Sequence, residues 1–144
     1  MPDSRAKSRI ERLRTVKSAF ILEARSLKEQ GCPSFAVPLF RRAAELECEL
    51  AELFGAQEDQ TNRSVSLLSA ASCFVEARQY RTAVRTLEDV ADRFPEAKQL
   101  IAECGDKEDV PVPVEPAALQ SLIDLMVKKG LITQHDWADA IRAK

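Results

Sequence analysis

Apolar residues return every three or four positions along most of the chain, which is the spacing of one face of a helix. Between residues 4 and 29 this stripe is uninterrupted and predicts a first helix. No stretch alternates apolar and polar residues for long, as a half-buried strand would. The pattern therefore predicts an all-α protein, whose first helix carries the stripe Ile10, Leu13, Val16, Phe20, Ala24 and Leu27.

Glycine and proline interrupt this pattern and divide it into further helices. The segment 31–33, which contains Gly31 and Pro33, ends the first helix, and Ser34 is the expected N-cap of the second. Gly55 is expected to end that second helix, just after Phe54. Three more helices are predicted over residues 58–77, 81–94 and 95–105.

The segment GDKEDVPVPVEP, residues 105–116, breaks the helical pattern. Its alternating prolines favour an extended, semi-rigid chain over a helix. A leucine-rich helix follows up to Gly130, and Thr133 with Asp136 three residues later is expected to cap a last helix. The chain is thus predicted to contain a helical domain at 1–104, a linker at 105–116 and a C-terminal helical hairpin at 117–144.

Alanines occupy several positions on the apolar stripes between residues 67 and 95. Two antiparallel helices approach closely when some contact residues are small, because the side chains set the distance between the axes. Large residues then fill the recesses that the alanines leave, and Pro95 turns the chain into the next helix. The two facing stripes are Leu67, Ala70, Ala71 and Phe74, followed by Tyr80, Ala83, Leu87 and Val90.

This series resembles the tetratricopeptide repeat, a helix–turn–helix unit with a large–small–small–aromatic first helix and a closing proline. A weaker copy lies 47 positions upstream, where Phe20 corresponds to Leu67 and Ala36 to Ala83. The resemblance implies antiparallel hairpins stacked as a short solenoid with a concave groove. A plain helical bundle would give similar stripes. In the stacked arrangement the fifth helix would cap one end.

In tetratricopeptide-like proteins the first helix of each hairpin lines the groove. The resemblance therefore implies that a partner segment binds between the first and third helices. Two of the implied residues, Leu68 and Val75, are equally well explained as ordinary core. The implied positions are Ile21, Arg25 and Lys28 in the first unit, with Leu68, Ser72 and Val75 in the second.

The ending LIDLMVKKGLITQHDWADAI resembles the short C-terminal helical hairpin of many bacterial proteins, with Asp136–Trp137 as its acidic–aromatic pair. Such a unit is too small to bury its own surface well. It is expected to dock either on the rest of its own chain or on another chain. Met126 and Trp137 are the residues expected in that contact, since large apolar anchors concentrate interface energy.

The net charge of −2 argues against bulk attraction to nucleic acid or to anionic membranes. The first helix nevertheless carries Arg5, Arg9 and Arg12 on one face, a pattern typical of nucleic-acid contact. If the first two helices fold back on each other, Arg12 faces Glu52 and Lys17 faces Glu47. Such pairs would neutralise the basic face within the chain.

The composition favours a protein that works in solution. With 31% charged residues and no apolar run near the ~18 residues of a membrane span, a cytoplasmic location is expected.

The four cysteines lack the close spacing of a zinc site, so reduced thiols without metal or other cofactor are expected. Their positions are Cys32, Cys48, Cys73 and Cys104, and His135 is the one histidine.

Sequence motifs of catalysis are absent: the chain has no nucleophile elbow, phosphate loop, dinucleotide fingerprint or zinc-protease motif. The chain is therefore expected not to be an enzyme. The predicted function is that of an adaptor or accessory subunit in a bacterial complex, which binds another protein on its groove. The alternatives are a nucleic-acid-associated subunit that uses the basic helix and a structural homo-oligomer assembled through the C-terminal hairpin.

Overall fold

A computed structural model describes residues 4–111, 116–133 and 135–136. Within these ranges the regular structure is helical and no strand occurs, which confirms the predicted all-α class. None of the described helices combines the length and apolar character needed to cross a membrane. The helices are α1 (Ser4–Glu29), α2 (Pro33–Ala56), α3 (Gln60–Glu76), α4 (Tyr80–Glu88), α5 (Pro95–Cys104) and α6 (Pro116–Lys128).

The helices α1 to α5 pack in chain order, each against the next. The alanines of the facing stripes are fully buried, since Ala70, Ala71 and Ala83 have no exposed surface. Large neighbours fill the space beside them, with Phe74 and Leu87 also buried. Small residues therefore do lie at the helix contacts, as predicted from the close approach that they permit.

The same backbone motif ends four helical segments. After α1, Cys32 donates its N–H to the carbonyl of Leu27 at 2.8 Å, and Gly31 has a φ of +80°. This bond and the left-handed residue before it form a Schellman motif, which satisfies carbonyls at a helix end. Gly130 takes the same position after α6, as predicted. After α2 and α3 the left-handed positions are held by Glu58 and Arg78, with φ of 58° and 60°.

Some predicted helix ends differ from the observed ones. The predicted N-cap Ser34 is wrong, because Pro33 already begins α2 and its fixed φ suits a first helical position. Gly55 does not stop α2, which continues to Ala56. The next helix, α3, is capped by Asp59, whose carboxylate accepts the N–H of Asn62 at 3.1 Å.

The fourth helix is also shorter than predicted, ending at Glu88 rather than near Phe94. The chain continues in tighter turns, with Val90 donating to the carbonyl of Leu87 at 3.0 Å. Asp89 is the C-cap of α4, and the tighter turns continue to Arg93 and Phe94, whose N–H groups both donate to the carbonyl of Val90.

The first part of the linker lies against the turn between α3 and α4. The N–H of Val110 donates to the carbonyl of Arg78 at 3.0 Å, and the Gln79 amide donates to the carbonyl of Val110 at 2.7 Å. The Asp109 carboxylate accepts the N–H of Arg81 at 2.9 Å, so a distant residue caps the start of α4. The linker is thus fixed to the helical body at its start.

The helix α6 packs on the same chain. Ile123, Met126 and Ile132 are buried in the common core, and Lys129 Nζ lies 3.6 Å from a Glu23 carboxylate oxygen. By helical spacing, Glu23 is on the flank of α1 opposite to Ile21. The predicted capping pair is also confirmed, because Thr133 and Asp136 each accept the other's backbone N–H. The predicted contact residue Trp137 lies outside the described residues.

Candidate functional site

An open cleft lies between α1 and α3, with α2 beneath it. Its volume is about 550 Å³. The two wall helices run in the same direction, because each pairs with α2 in antiparallel fashion. The lining residues are Ile21, Arg25, Lys28 and Glu29 from α1, Phe40 from α2, and Ser72, Cys73 and Glu76 from α3.

Four of the six residues predicted for the groove line this cleft. Ile21, Arg25 and Lys28 come from one wall, and Ser72 comes from the other. The remaining two do not line it. Leu68 and Val75 are half-buried and pack against the core. Val75 instead lines a second cavity of about 190 Å³ at the end of the groove.

Four lining residues were not anticipated as part of the site: Glu29, Phe40, Cys73 and Glu76. Phe40 is 4% exposed and forms the apolar floor, because α2 turns it upward between the two wall helices. Cys73 and Glu76 belong to the α3 wall, one turn apart. The sequence signal for Glu76 was its spacing of four residues from Ser72, which puts both on one helical face. Cys73 directly follows Ser72 and has no such signal, and the direction of Phe40 depends on how α2 is rotated against its neighbours.

An ion pair joins the walls at one end of the cleft. Lys28 Nζ lies 2.7 Å from Glu76 Oε2, and both side chains are about half exposed. This is a direct side-chain link between α1 and α3, and it crosses the groove above Phe40. The charges lining the cleft are therefore partly neutralised before any ligand arrives.

A buried carboxylate lies further along the same helices. Glu47 is 2% exposed, its Oε1 lies 3.6 Å from Lys17 Nζ, and the Ser69 hydroxyl donates to it. Burial raises the pKa of Glu47 above its usual value, although the charge of Lys17 and the hydrogen bonds of Ser69 and Lys17 act in the opposite direction. The cluster links α1, α2 and α3 beside the cleft.

The basic face of α1 is largely engaged within the chain. The predicted Lys17–Glu47 pair is confirmed, and Arg9 Nη2 lies 3.7 Å from Glu49 Oε2. The guanidinium of Arg14 lies 5.2 Å from the centre of the Phe54 ring. Arg5 is exposed and Arg12 is half-buried. The facing pair Arg12–Glu52 stays a prediction.

The thiols near the site have little nucleophilic character. Burial, followed by the negative charge of Glu47, raises the pKa of Cys73 to about 11. Burial and then the carboxylate of Glu52 raise the pKa of Cys48 to about 11. Since the thiolate is the reactive form, both residues are nearly unreactive at neutral pH. Among the described residues, no group of three or more His, Cys, Asp or Glu side chains could hold a metal ion.

The chain has no match among family models, curated proteins or solved structures.

What the cleft offers chemically is an apolar floor, a mixed charged rim and hydrogen-bonding groups such as the Ser72 hydroxyl. The volume is in the range usual for ligand sites, while five of the eight lining residues are charged or polar.

Proposed function

We propose that this protein is an adaptor or accessory subunit that binds a segment of another protein in the cleft between α1 and α3. The observation that carries this proposal is the convergence of Ile21 and Arg25 from α1 with Ser72 and Glu76 from α3 on one open cleft floored by Phe40. These residues are far apart in sequence, and each helix contributes a face that does not pack against α2.

The dimensions and chemistry of the cleft suit a polypeptide ligand. An amphipathic helix or an extended segment binds by placing apolar side chains in a groove while its polar side chains meet the rim. Phe40 and Ile21 provide the apolar surface, and Arg25 and Glu76 provide the rim. In this proposal the protein is a tetratricopeptide-like subunit of a bacterial cytoplasmic complex.

The two alternative functions receive less support. Of the three arginines predicted for nucleic-acid contact, Arg9 is paired with Glu49, Arg12 is half-buried and Arg5 is exposed. Assembly into homo-oligomers through Met126 would require this side chain at the surface. Met126 is 1% exposed and lies in the core of its own chain.

The proposal is tested by filling the cleft. Ser72 is an exposed position on the α3 wall, and a Ser72→Trp variant would place an indole ring in the space that a partner segment would take. Peptides selected from a random displayed library against the wild-type protein would be measured by fluorescence polarisation with both proteins. We expect Ser72→Trp to weaken binding by roughly tenfold or more, since steric exclusion removes the buried contacts.

The matched control is Ala102→Trp, which adds the same ring at an exposed position on α5. It should leave peptide affinity unchanged, and circular dichroism should show that both variants keep their helix content. If no selected peptide distinguishes Ser72→Trp from Ala102→Trp, the cleft is not the binding site.

A further inference from the structure

The cleft between α1 and α3 is one part of a longer groove. The larger cavity of about 550 Å³ and the smaller one of about 190 Å³ share three lining residues, Lys28, Phe40 and Glu76. The Lys28–Glu76 ion pair therefore forms the partition between them, with Phe40 continuing beneath as a common floor. We call this ion pair the latch.

The charges of the larger cavity differ between its two walls. The α1 wall contributes two cations, Arg25 and Lys28, and one anion at the end of the helix, Glu29. The α3 wall contributes the anion Glu76 beside the uncharged Ser72 and Cys73. When the latch is closed, the excess cation of one wall is paired with the anion of the other. When it is open, the larger cavity has a basic side and an acidic side, while the smaller cavity adds the cation Arg78 beyond Glu76.

The latch is built to open at little cost. Its side chains are 55% and 41% exposed, so water and salt weaken the attraction between them. A ligand that carries one acidic and one basic group replaces the single Lys28–Glu76 ion pair with two ion pairs to the ligand, one at Lys28 and one at Glu76. Such an exchange keeps both charges of the latch compensated, which a ligand of uniform charge would not do.

We infer that the occupant is a partner segment with opposite charges on its two sides: an acidic side chain toward Arg25 and Lys28, a basic side chain toward Glu76, and an apolar side chain over Phe40. This inference rests on the proposed function and adds the chemistry of the partner and its orientation. The segment opens the latch as it binds and extends over the partition between the cavities.

A charge exchange in the latch tests the inference. The double variant Lys28→Glu with Glu76→Lys keeps the ion pair and the net charge but reverses the direction in which the pair crosses the groove. Peptides selected on the wild-type protein should lose roughly tenfold in affinity for it, because two attractive contacts become repulsive. Versions of the same peptides with their acidic and basic residues exchanged should regain affinity for the double variant.

The matched control exchanges another ion pair between elements, Glu23→Lys with Lys129→Glu, on the opposite flank of α1. It should leave the affinity of both peptide versions unchanged. Peptides that require the cleft, by the Ser72→Trp criterion, but bind the latch double variant as well as the wild type would overturn this inference and leave the proposed function standing. Selected peptides whose charges are all of one sign would likewise overturn this inference and leave the proposed function standing. A failure of the Ser72→Trp criterion itself would overturn both.

Discussion

At the scale of single residues, Glu47 is the most unusual side chain in the core. A buried carboxylate loses its hydration, and a partner compensates for this loss only in part. Lys17 and Ser69 contact Glu47, yet burial dominates and its pKa is raised. The folded protein therefore holds the Glu47 proton more tightly than the unfolded chain does.

This shift predicts a specific dependence on pH. Below the unfolded pKa of glutamate, Glu47 is protonated in both states. As pH rises from that value through the higher folded pKa, the unfolded chain ionises more readily than the folded protein, so the contribution of Glu47 to the free energy of unfolding falls. A Glu47→Gln variant has no such proton. Its free energy of unfolding should therefore rise relative to wild type between about pH 4.3 and neutral pH. Urea denaturation of both proteins across this range measures the difference.

A Glu47→Asp comparison keeps the ionisable group and should retain a pH dependence in the same direction as wild type. If wild type instead gains stability relative to Glu47→Gln as pH rises, the attraction of Lys17 outweighs the cost of burial. The statement that burial raises the pKa of Glu47 in the folded protein would then be wrong.

At the scale of helices and turns, the repeated Schellman ends have different costs. Gly31 has a left-handed φ without a steric penalty, whereas Glu58 and Arg78 adopt the same region with a side chain. For a residue with a Cβ, the left-handed conformation costs ~1–2 kcal/mol. Two of the four turns therefore hold a small strain that the helix packing around them outweighs.

Exchanging residues at these turns gives opposite expected effects. Gly31→Ala should lower the free energy of unfolding by about 1 kcal/mol, because alanine must adopt the left-handed region. Glu58→Gly should raise it by up to about 1 kcal/mol, reduced by the extra freedom of glycine in the unfolded chain. Chemical denaturation of both variants checks the pair.

Gly55→Ala is the control for the first substitution, since Gly55 lies within α2 at a negative φ. An added Cβ there would touch the Arg63 side chain at 3.4 Å, which a flexible side chain can accommodate. Equal losses for Gly31→Ala and Gly55→Ala would contradict the role given to the left-handed turn.

Local sequence signals were sufficient for some elements and not for others. The bounds of α1 were predicted because its stripe is continuous and Gly31 ends it. The break between the third and fourth helices was predicted, but the left-handed φ of Arg78 was not, since arginine does not signal that conformation. In the candidate site, Ile21 and Ser72 were implied by the resemblance to the tetratricopeptide repeat. The position of Phe40 in the floor required the rotation of α2, which no local pattern specifies.

At the scale of the whole molecule, the two ends of the helical series are covered differently. The last helix of the series, α5, buries Ala97 and Cys104 and exposes its polar residues, among them Lys98 and Glu103. Helix α6 and the turn after it return to the core, where Ile123, Met126 and Ile132 are buried and Lys129 Nζ lies 3.6 Å from a Glu23 carboxylate oxygen on α1. The C-terminal segment thus adds apolar side chains to the core of the first five helices.

Truncating the buried face of α6 should show how much this cover contributes. Met126→Ala is expected to cost about 2–5 kcal/mol of unfolding free energy, the usual range for deleting a large buried side chain. Leu125→Ala is the control, because Leu125 is 43% exposed on the same helix. Chemical denaturation compares the two variants. Similar small losses of unfolding free energy for both variants would mean that the packing of α6 contributes little to stability.

The seating of α6 also bears on how the molecule forms during translation. Glu23 leaves the ribosome well before its ion-pair partner Lys129, which follows 106 positions later in the sequence (129 − 23 = 106). The hairpin of α1 and α2 can close as soon as both helices have emerged, since its contacts are local. One flank of the nascent hairpin stays uncovered until the segment 123–132, which contains the buried residues Ile123, Met126 and Ile132, has emerged. During that interval it is the surface where a chaperone would bind or where aggregation would begin.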